Sequence, residues 1–229
     1  MKLSDIDTSV WYPIEIPSTG KKTTFRPFRV REERSLLMAQ ESEEAGTMLN
    51  TLNEVVKSCL KDKVELTTFD VEYLFIKIRS KSVGEDSYVV AKCGSCDAKN
   101  NVVLQLTDTV VTNLDQNKKL KISDDLSVIM KYPSVTDIAK IESLPQKEQV
   151  TAAITACIES VFYKTTVFHT AESDAEEIAD FLLNRTDDEI SKLIEFVENI
   201  PTVQLKTEYE CKQCGAINQI TVNSIADFF

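Results

Sequence analysis

The sequence predicts an α+β fold in which helical segments and short antiparallel hairpins are joined by a two-knuckle, zinc-ribbon-like four-cysteine site. Three observations carry this. Apolar residues recur at helical spacing in blocks near 48–60, 71–78, 150–161 and 190–197. Between the blocks lie alternating runs such as SYVVAK, NNVVLQL, SVIMKY and VQLKTEYE, with the period of half-buried strands. Finally, two C-x-x-C knuckles, Cys93-Gly94-Ser95-Cys96 and Cys211-Lys212-Gln213-Cys214, each sit between two strand-like runs.

Taken in order, residues 11–17 (WYPIEIP) are apolar and proline-interrupted, and 21–30 (KKTTFRPFRV) look extended, with Pro27 favouring an edge strand. Together they define an extended N-terminal arm over 1–30. A helical stretch begins near Arg31. In its later part Met48, Leu52, Val55, Val56, Cys59 and Leu60 form one stripe, and Gly46 is placed to divide it in two. Thr67 with Asp70 reads as a capping box, Asp replacing the usual Glu, for a helix faced by Val71, Leu74, Phe75 and Ile78. Residues 82–85 (SVGE) end it. Strands frame the first knuckle, and residues 120–132 add a hairpin around Ser123-Asp124-Asp125.

Pro133 and Ser134 open a further helix, and Pro145 suits the first turn of the next. Val150, Ala153, Ile154, Cys157, Ile158 and Val161 then continue as one helical stripe. Ser173 with Glu176 and Thr186 with Glu189 form two more capping boxes. The second leads a helix faced by Ile190, Leu193, Ile194 and Val197 and stopped by Pro201. Aligning Cys93 with Cys211 also matches Cys96 with Cys214, Ala98 with Ala216, Asn100 with Asn218 and Val102 with Ile220. The expected organisation after the arm is a single α+β unit over 31–229. It consists of two similar halves, 31–106 and 134–222, from a degenerate internal duplication, joined by a β segment at 107–133.

Two C-x-x-C turns deliver four soft, ionisable ligands, the donor set of tetrahedral structural zinc. Cys93, Cys96, Cys211 and Cys214 are therefore the expected metal ligands, with Zn2+ the expected ion. Two separate dithiols or disulfides, and iron, are the alternatives. A redox C-x-x-C opens a helix, whereas both knuckles here lie in hairpins. Gly215 and Asp97 follow the second cysteines, where such turns call for positive φ. Four protein ligands leave no open coordination position, so the metal is expected to be structural. Cys59 and Cys157 lie on apolar helical faces and read as core residues.

Material for catalysis is scarce, and neither catalytic residues nor an organic cofactor site is expected. His169 is the single histidine, no G-x-S-x-G occurs, and the five glycines form no phosphate loop. Asp187, Asp188 and Glu189 are explained as first-turn charges favoured by the helix dipole. With 42% hydrophobic and 28% charged residues among 229, the composition is that of a globular protein. No apolar run approaches the roughly 20 residues of a membrane span. The start, MKLSDIDTSVWYPIEIP, carries acids where a secretory signal needs an apolar stretch, so synthesis without export is expected.

The net charge of −11 disfavours nucleic-acid binding, which needs basic surface to displace counterions. Lys21, Lys22, Arg26, Arg29, Arg31 and Arg34 nevertheless gather in 21–34, against an acidic stretch at 172–198. They keep open a second reading, a nucleic-acid-binding zinc-ribbon regulatory protein. The closing Phe228-Phe229, like residues 11–17, reads either as packing on the chain's own core or as a partner anchor.

Several motifs resemble one family. Phe25-Arg26-Pro27-Phe28, Arg31-Glu32-Glu33 and Leu36-Leu37-Met38-Ala39 are similar to the opening of baseplate hub and hub-assembly proteins of T-even-type contractile-tailed bacteriophages. Phe69-Asp70-Val71-Glu72-Tyr73-Leu74-Phe75, Arg79-Ser80-Lys81-Ser82-Val83-Gly84-Glu85 and Met130-Lys131-Tyr132-Pro133 resemble later blocks of the same family. The likeness covers 20–135 well and the remainder weakly. It implies a non-enzymatic structural or assembly protein of the tail baseplate hub, made late and acting among other hub proteins in an oligomeric assembly. Its implied place is the virion baseplate, the host cytoplasm during assembly, or both. It implies no hydrolase activity and does not assign the metal site.

Overall fold

The computed structural model describes residues 8–42, 46–171 and 175–223. Ser173 and the terminal Phe228-Phe229 lie outside the described residues. Contacts group the chain into two units, the first formed by 1–42, 51–112 and 202–229 and the second by 43–50 and 113–201.

The first unit begins with strands β1 (Tyr12–Glu15) and β2 (Lys22–Phe25), paired antiparallel with Tyr12 opposite Phe25. Ile16 and Phe25 are buried and Trp11 is exposed, so part of the proline-interrupted stretch packs on the chain's own core. Pro27 falls just after β2 and not within it. Helix α1 (Val30–Gln40) follows, and α2 (Thr47–Cys59) buries Leu52, Val55, Val56 and Cys59, close to the expected stripe.

Helix α3 (Thr68–Ser82) carries the centre of this unit's core. Its start is fixed by the expected capping box. The Thr67 amide donates to Asp70 at 2.9 Å, and the Asp70 amide donates back to the Thr67 hydroxyl at 3.4 Å. The Asp70 carboxylate also accepts the Ser18 amide at 2.9 Å, which ties the β1–β2 turn to the helix. Phe69, Val71, Leu74, Phe75, Ile76 and Ile78 are all fully buried. At about 2 kcal/mol for each large apolar side chain removed from water, this helix is a principal source of cohesion. Burial around most of its circumference weakens any one-sided pattern, which is why Phe69 and Ile76 escape a reading by periodicity.

Two hairpins complete the unit. β3 (Asp86–Lys92) pairs with β4 (Lys99–Gln105), and β10 (Val203–Glu210) pairs with β11 (Ile217–Val222). The two-residue β5 (Val110–Val111) adds to the free side of β10, too short to leave a periodic signal.

In the second unit, β6 (Lys119–Lys121), β7 (Leu126–Met130), β8 (Ile158–Tyr163) and β9 (Thr166–His169) form one antiparallel sheet in that order. Helices α4 (Val135–Glu142), α5 (Gln146–Cys157), α6 (Ala175–Leu183) and α7 (Asp187–Glu198) complete it. Ser134 caps α4 and Thr186 caps α7, each through a reciprocal box with the acid three residues on. Pro145 stands at the cap of α5, one residue before its first turn.

The expected helical stripe through Val161 is corrected here. Helix α5 ends at Cys157, and Ile158 opens a strand. Ile158, Val161, Phe162 and Tyr163 are β-branched or aromatic, and the strand satisfies its backbone between β7 and β9. Lys164, at φ 52°, makes the turn that lets β9 return. Periodicity ran on across the junction because Ile158 and Val161 are buried in the sheet as they would have been in a helix. His169 is the last residue of β9, exposed and opposite Ser160.

Candidate metal centre

The two knuckles are built alike from the backbone upward. In the first, the Cys93 amide donates to the Ala98 carbonyl at 2.9 Å and the Asp97 amide to the Cys93 carbonyl at 3.0 Å. In the second, the Cys211 amide donates to the Ala216 carbonyl and the Gly215 amide to the Cys211 carbonyl, both at 2.9 Å. Asp97 and Gly215 close these turns at φ 58° and 72°. That is the left-handed region, open to Gly without cost and to Asp more readily than to most residues.

These turns bring all four predicted ligands together. The sulfurs of Cys93, Cys96, Cys211 and Cys214 lie within 4.8 Å of one another and form a cluster that could hold a metal ion. Between knuckles, the Cys93 sulfur stands 3.7 Å from Cys214 and the Cys96 sulfur 3.7 Å from Cys211. A disulfide needs sulfurs about 2.0 Å apart, so the four are free thiols. The first cysteine of each knuckle is buried, whereas Cys96 is half-buried and Cys214 exposed.

Two asparagines cross the site, a feature the alignment matched without assigning a role. Asn100 on β4 accepts the Lys212 amide at 3.0 Å and points its own amide at the Cys211 sulfur, 3.5 Å away. Asn218 on β11 accepts the Gly94 amide at 2.9 Å and points its amide at the Cys93 sulfur, also 3.5 Å away. Each additionally donates within its own hairpin, Asn100 to Ala98 and Asn218 to Ala216, at 2.9 Å. The cluster and its hydrogen bonds therefore obey a local pseudo-twofold relation. Tyr209 adds a further tie, its hydroxyl donating to the Lys92 carbonyl at 2.9 Å.

Electrostatics separate the two inner thiols from Cys96. The Ser95 amide, the strongest influence on Cys93, holds its thiol below the usual range. At Cys211 the Cys214 and Gln213 amides act the same way and bring it to about 6. The Ala98 amide draws Cys96 down, yet Cys214, burial and the remaining thiols outweigh it and push it up to about 12. Four adjacent thiols resist losing four protons unless a cation compensates them.

A second polar centre in the same unit absorbs part of the basic 21–34 stretch. Arg26 is 3% exposed and pairs with buried Glu32 at 2.8 Å, donating also to the Ser58 and Pro27 carbonyls. Glu32 receives Arg31 and the Arg29 amide as well, both at 2.8 Å. Burial alone would raise the Glu32 pKa, but the donors on Arg26, Arg31 and Arg29 bring it down to about 2. Lys77, unremarked in the sequence, donates to the Thr107 and Thr109 carbonyls at 2.7 and 3.1 Å and holds the turn between β4 and β5. Cys59 and Cys157 are both buried, and neither belongs to the cluster of four. Among the described residues, no helix is long and apolar enough to cross a membrane.

Comparisons with curated proteins and with solved structures give no match. The family model described as T4 bacteriophage base plate protein matches residues 10–229, spanning the N-terminal strands, both knuckles and the second unit alike. The chain accordingly belongs to the T4-type bacteriophage base plate protein family.

Proposed function

We propose that this baseplate protein is a non-enzymatic structural or assembly component of the tail baseplate hub, stapled by one zinc ion on Cys93, Cys96, Cys211 and Cys214. The observation that carries the reading is the family match over nearly the whole chain, joined to a four-thiol cluster built from its two hairpins. The narrower hub role rests on the motifs at 25–39 and 69–85, and its partners would be other hub proteins in the virion or during assembly in the host cytoplasm. The zinc reading is supported by distance. Tetrahedral Zn–S bonds of about 2.3 Å place sulfurs about 3.8 Å apart, and the two inter-knuckle pairs stand at 3.7 Å. All four positions are supplied by protein, so zinc would fasten the hairpins and offer no seat for substrate.

The pseudo-twofold relation also favours a duplication as the origin of the two knuckle segments, in line with similar halves at 31–106 and 134–222. The nucleic-acid alternative gains no support, because Arg26, central in the basic stretch, is buried against Glu32.

Two measurements test the proposal. Elemental analysis of the purified chain should return about one zinc per molecule, and a metal-free protein of equal stability would overturn the staple. Removing the gene from its phage should leave unfinished baseplates or tails in electron micrographs. Normal yields of infectious particles would overturn the assembly role.

A further inference from the structure

We infer that Asn100 and Asn218 form a reciprocal lock that holds each knuckle to the opposite one, independently of the backbone pairing within either hairpin. Each asparagine uses both ends of its amide on the other knuckle. Its oxygen takes the backbone N–H that follows the first cysteine, Lys212 for Asn100 and Gly94 for Asn218, and its nitrogen faces that cysteine's sulfur. The remaining amide hydrogen is spent on the asparagine's own hairpin, at Ala98 or Ala216. An asparagine has two donor hydrogens and one carbonyl oxygen, so the orientation of each side chain is fixed by three partners at once.

The chemistry explains why no neighbouring residue type substitutes. Aspartate would keep the acceptor but present a second anion to a sulfur that must ionise. Leucine would fill the space and leave the Lys212 or Gly94 N–H without its acceptor. The three distances in one half repeat in the other to within 0.1 Å, so the lock is one device used twice. It bears on the inner, buried sulfurs Cys93 and Cys211 and leaves Cys96 and Cys214 without an asparagine donor. Outer-sphere hydrogen bonds of this kind orient metal ligands, and their removal typically weakens metal retention by about 10–100-fold. The part of the inference that concerns metal retention rests on the zinc reading above; the lock itself does not.

The test uses the full chain, with residue-resolved amide hydrogen exchange in reduced, metal-free protein and zinc release to a chromophoric chelator in loaded protein. Asn218→Ala should accelerate exchange at Gly94 by about tenfold or more while sparing Lys212. Asn100→Ala should do the converse. Both should speed zinc release by comparable factors, whereas Asn101→Ala, exposed on the other face of β4, should change neither reading. Equal loss of protection in both knuckles, or loss confined to the mutated hairpin, would overturn the lock. Should an alanine variant fail to fold, Asn100→Asp and Asn218→Asp keep the question decidable. They should preserve the opposite amide's protection yet release zinc faster, and loss of that protection would count against the inference. A wild-type chain that takes up no zinc would defeat the zinc reading alone, because the exchange measurement still decides the lock.

Discussion

Two polar centres lie in the first unit, and they solve opposite problems. The Arg26–Glu32 centre carries its own compensation: a buried guanidinium meets a buried carboxylate at 2.8 Å, and the Pro27 and Ser58 carbonyls and the Cys59 sulfur accept further hydrogen bonds from it. The cysteine cluster gathers four ionisable thiols, with backbone and asparagine amides aimed at the inner sulfurs of Cys93 and Cys211. Both tie together segments remote in sequence, Arg26 to Ser58 in one case and Cys93 to Cys214 in the other. The first is complete as soon as the chain folds. On the zinc reading proposed above, the second would depend on an external cation and on reducing conditions, which would tie the stability of this unit to its surroundings.

The largest effect should come from breaking the conditional centre. Cys93→Ser and Cys211→Ser should each abolish zinc binding and lower the melting temperature more than any other substitution considered. Zinc affinities of about 10 kcal/mol or more in small structural sites set the scale. A chelator should act on the wild type and leave the serine variants unaffected. Retention of zinc and of full stability by either variant would break the comparison at its root.

Next comes the self-compensated centre. Glu32→Gln leaves Arg26 buried without its anion, which should cost about 3 kcal/mol in denaturant unfolding near pH 7, with zinc content unchanged. The pH dependence has a definite sign. The folded pKa, about 2, lies below the ordinary value of 4.5, so Glu32 contributes fully above about pH 4.5. That contribution is lost as pH falls towards 2. The stability gap between wild type and Glu32→Gln should therefore close across that window, and a gap independent of pH would show that charge is not its source.

Glu72 sharpens the contrast as an acid with neither device. It sits on α3, and burial raises its pKa from 4.5 to about 7. A raised acid stabilises the fold below about pH 4.5 relative to higher pH, and that component disappears as pH rises through 7. Glu72→Gln should thus be neutral at pH 4 and stabilise by about 1–3 kcal/mol at pH 8, measured by thermal melts at both. Smallest is Thr186→Ala, which removes the cap of α7 and should cost about 1 kcal/mol with zinc content unchanged.

Much of this was legible in the sequence because the signals were local. The C-x-x-C spacing, the boxes at Thr67 and Thr186 and the strand alternation at 203–210 each state their structure within a few residues. The turn residues Asp97 and Gly215 also declared themselves. The end of α5 did not, since Ile158 and Val161 satisfy both a helical and a strand burial pattern. Arg26 could not be recognised as buried, because its partner Glu32 and its acceptor at Ser58 lie in other elements. The asparagines were visible as matched positions, but a role that reaches into the opposite hairpin appears only once the two knuckles meet.

The interleaving of the units has a consequence in time. Cys96 and Cys211 are separated by 115 residues of chain. At about 5–20 residues per second, roughly 6–23 s of synthesis pass between them. During that interval the first hairpin exists with two thiols and half a site. Closure of the cluster therefore reports that translation has passed the second knuckle, and a chain halted earlier keeps an open dithiol that distinguishes it from a finished one.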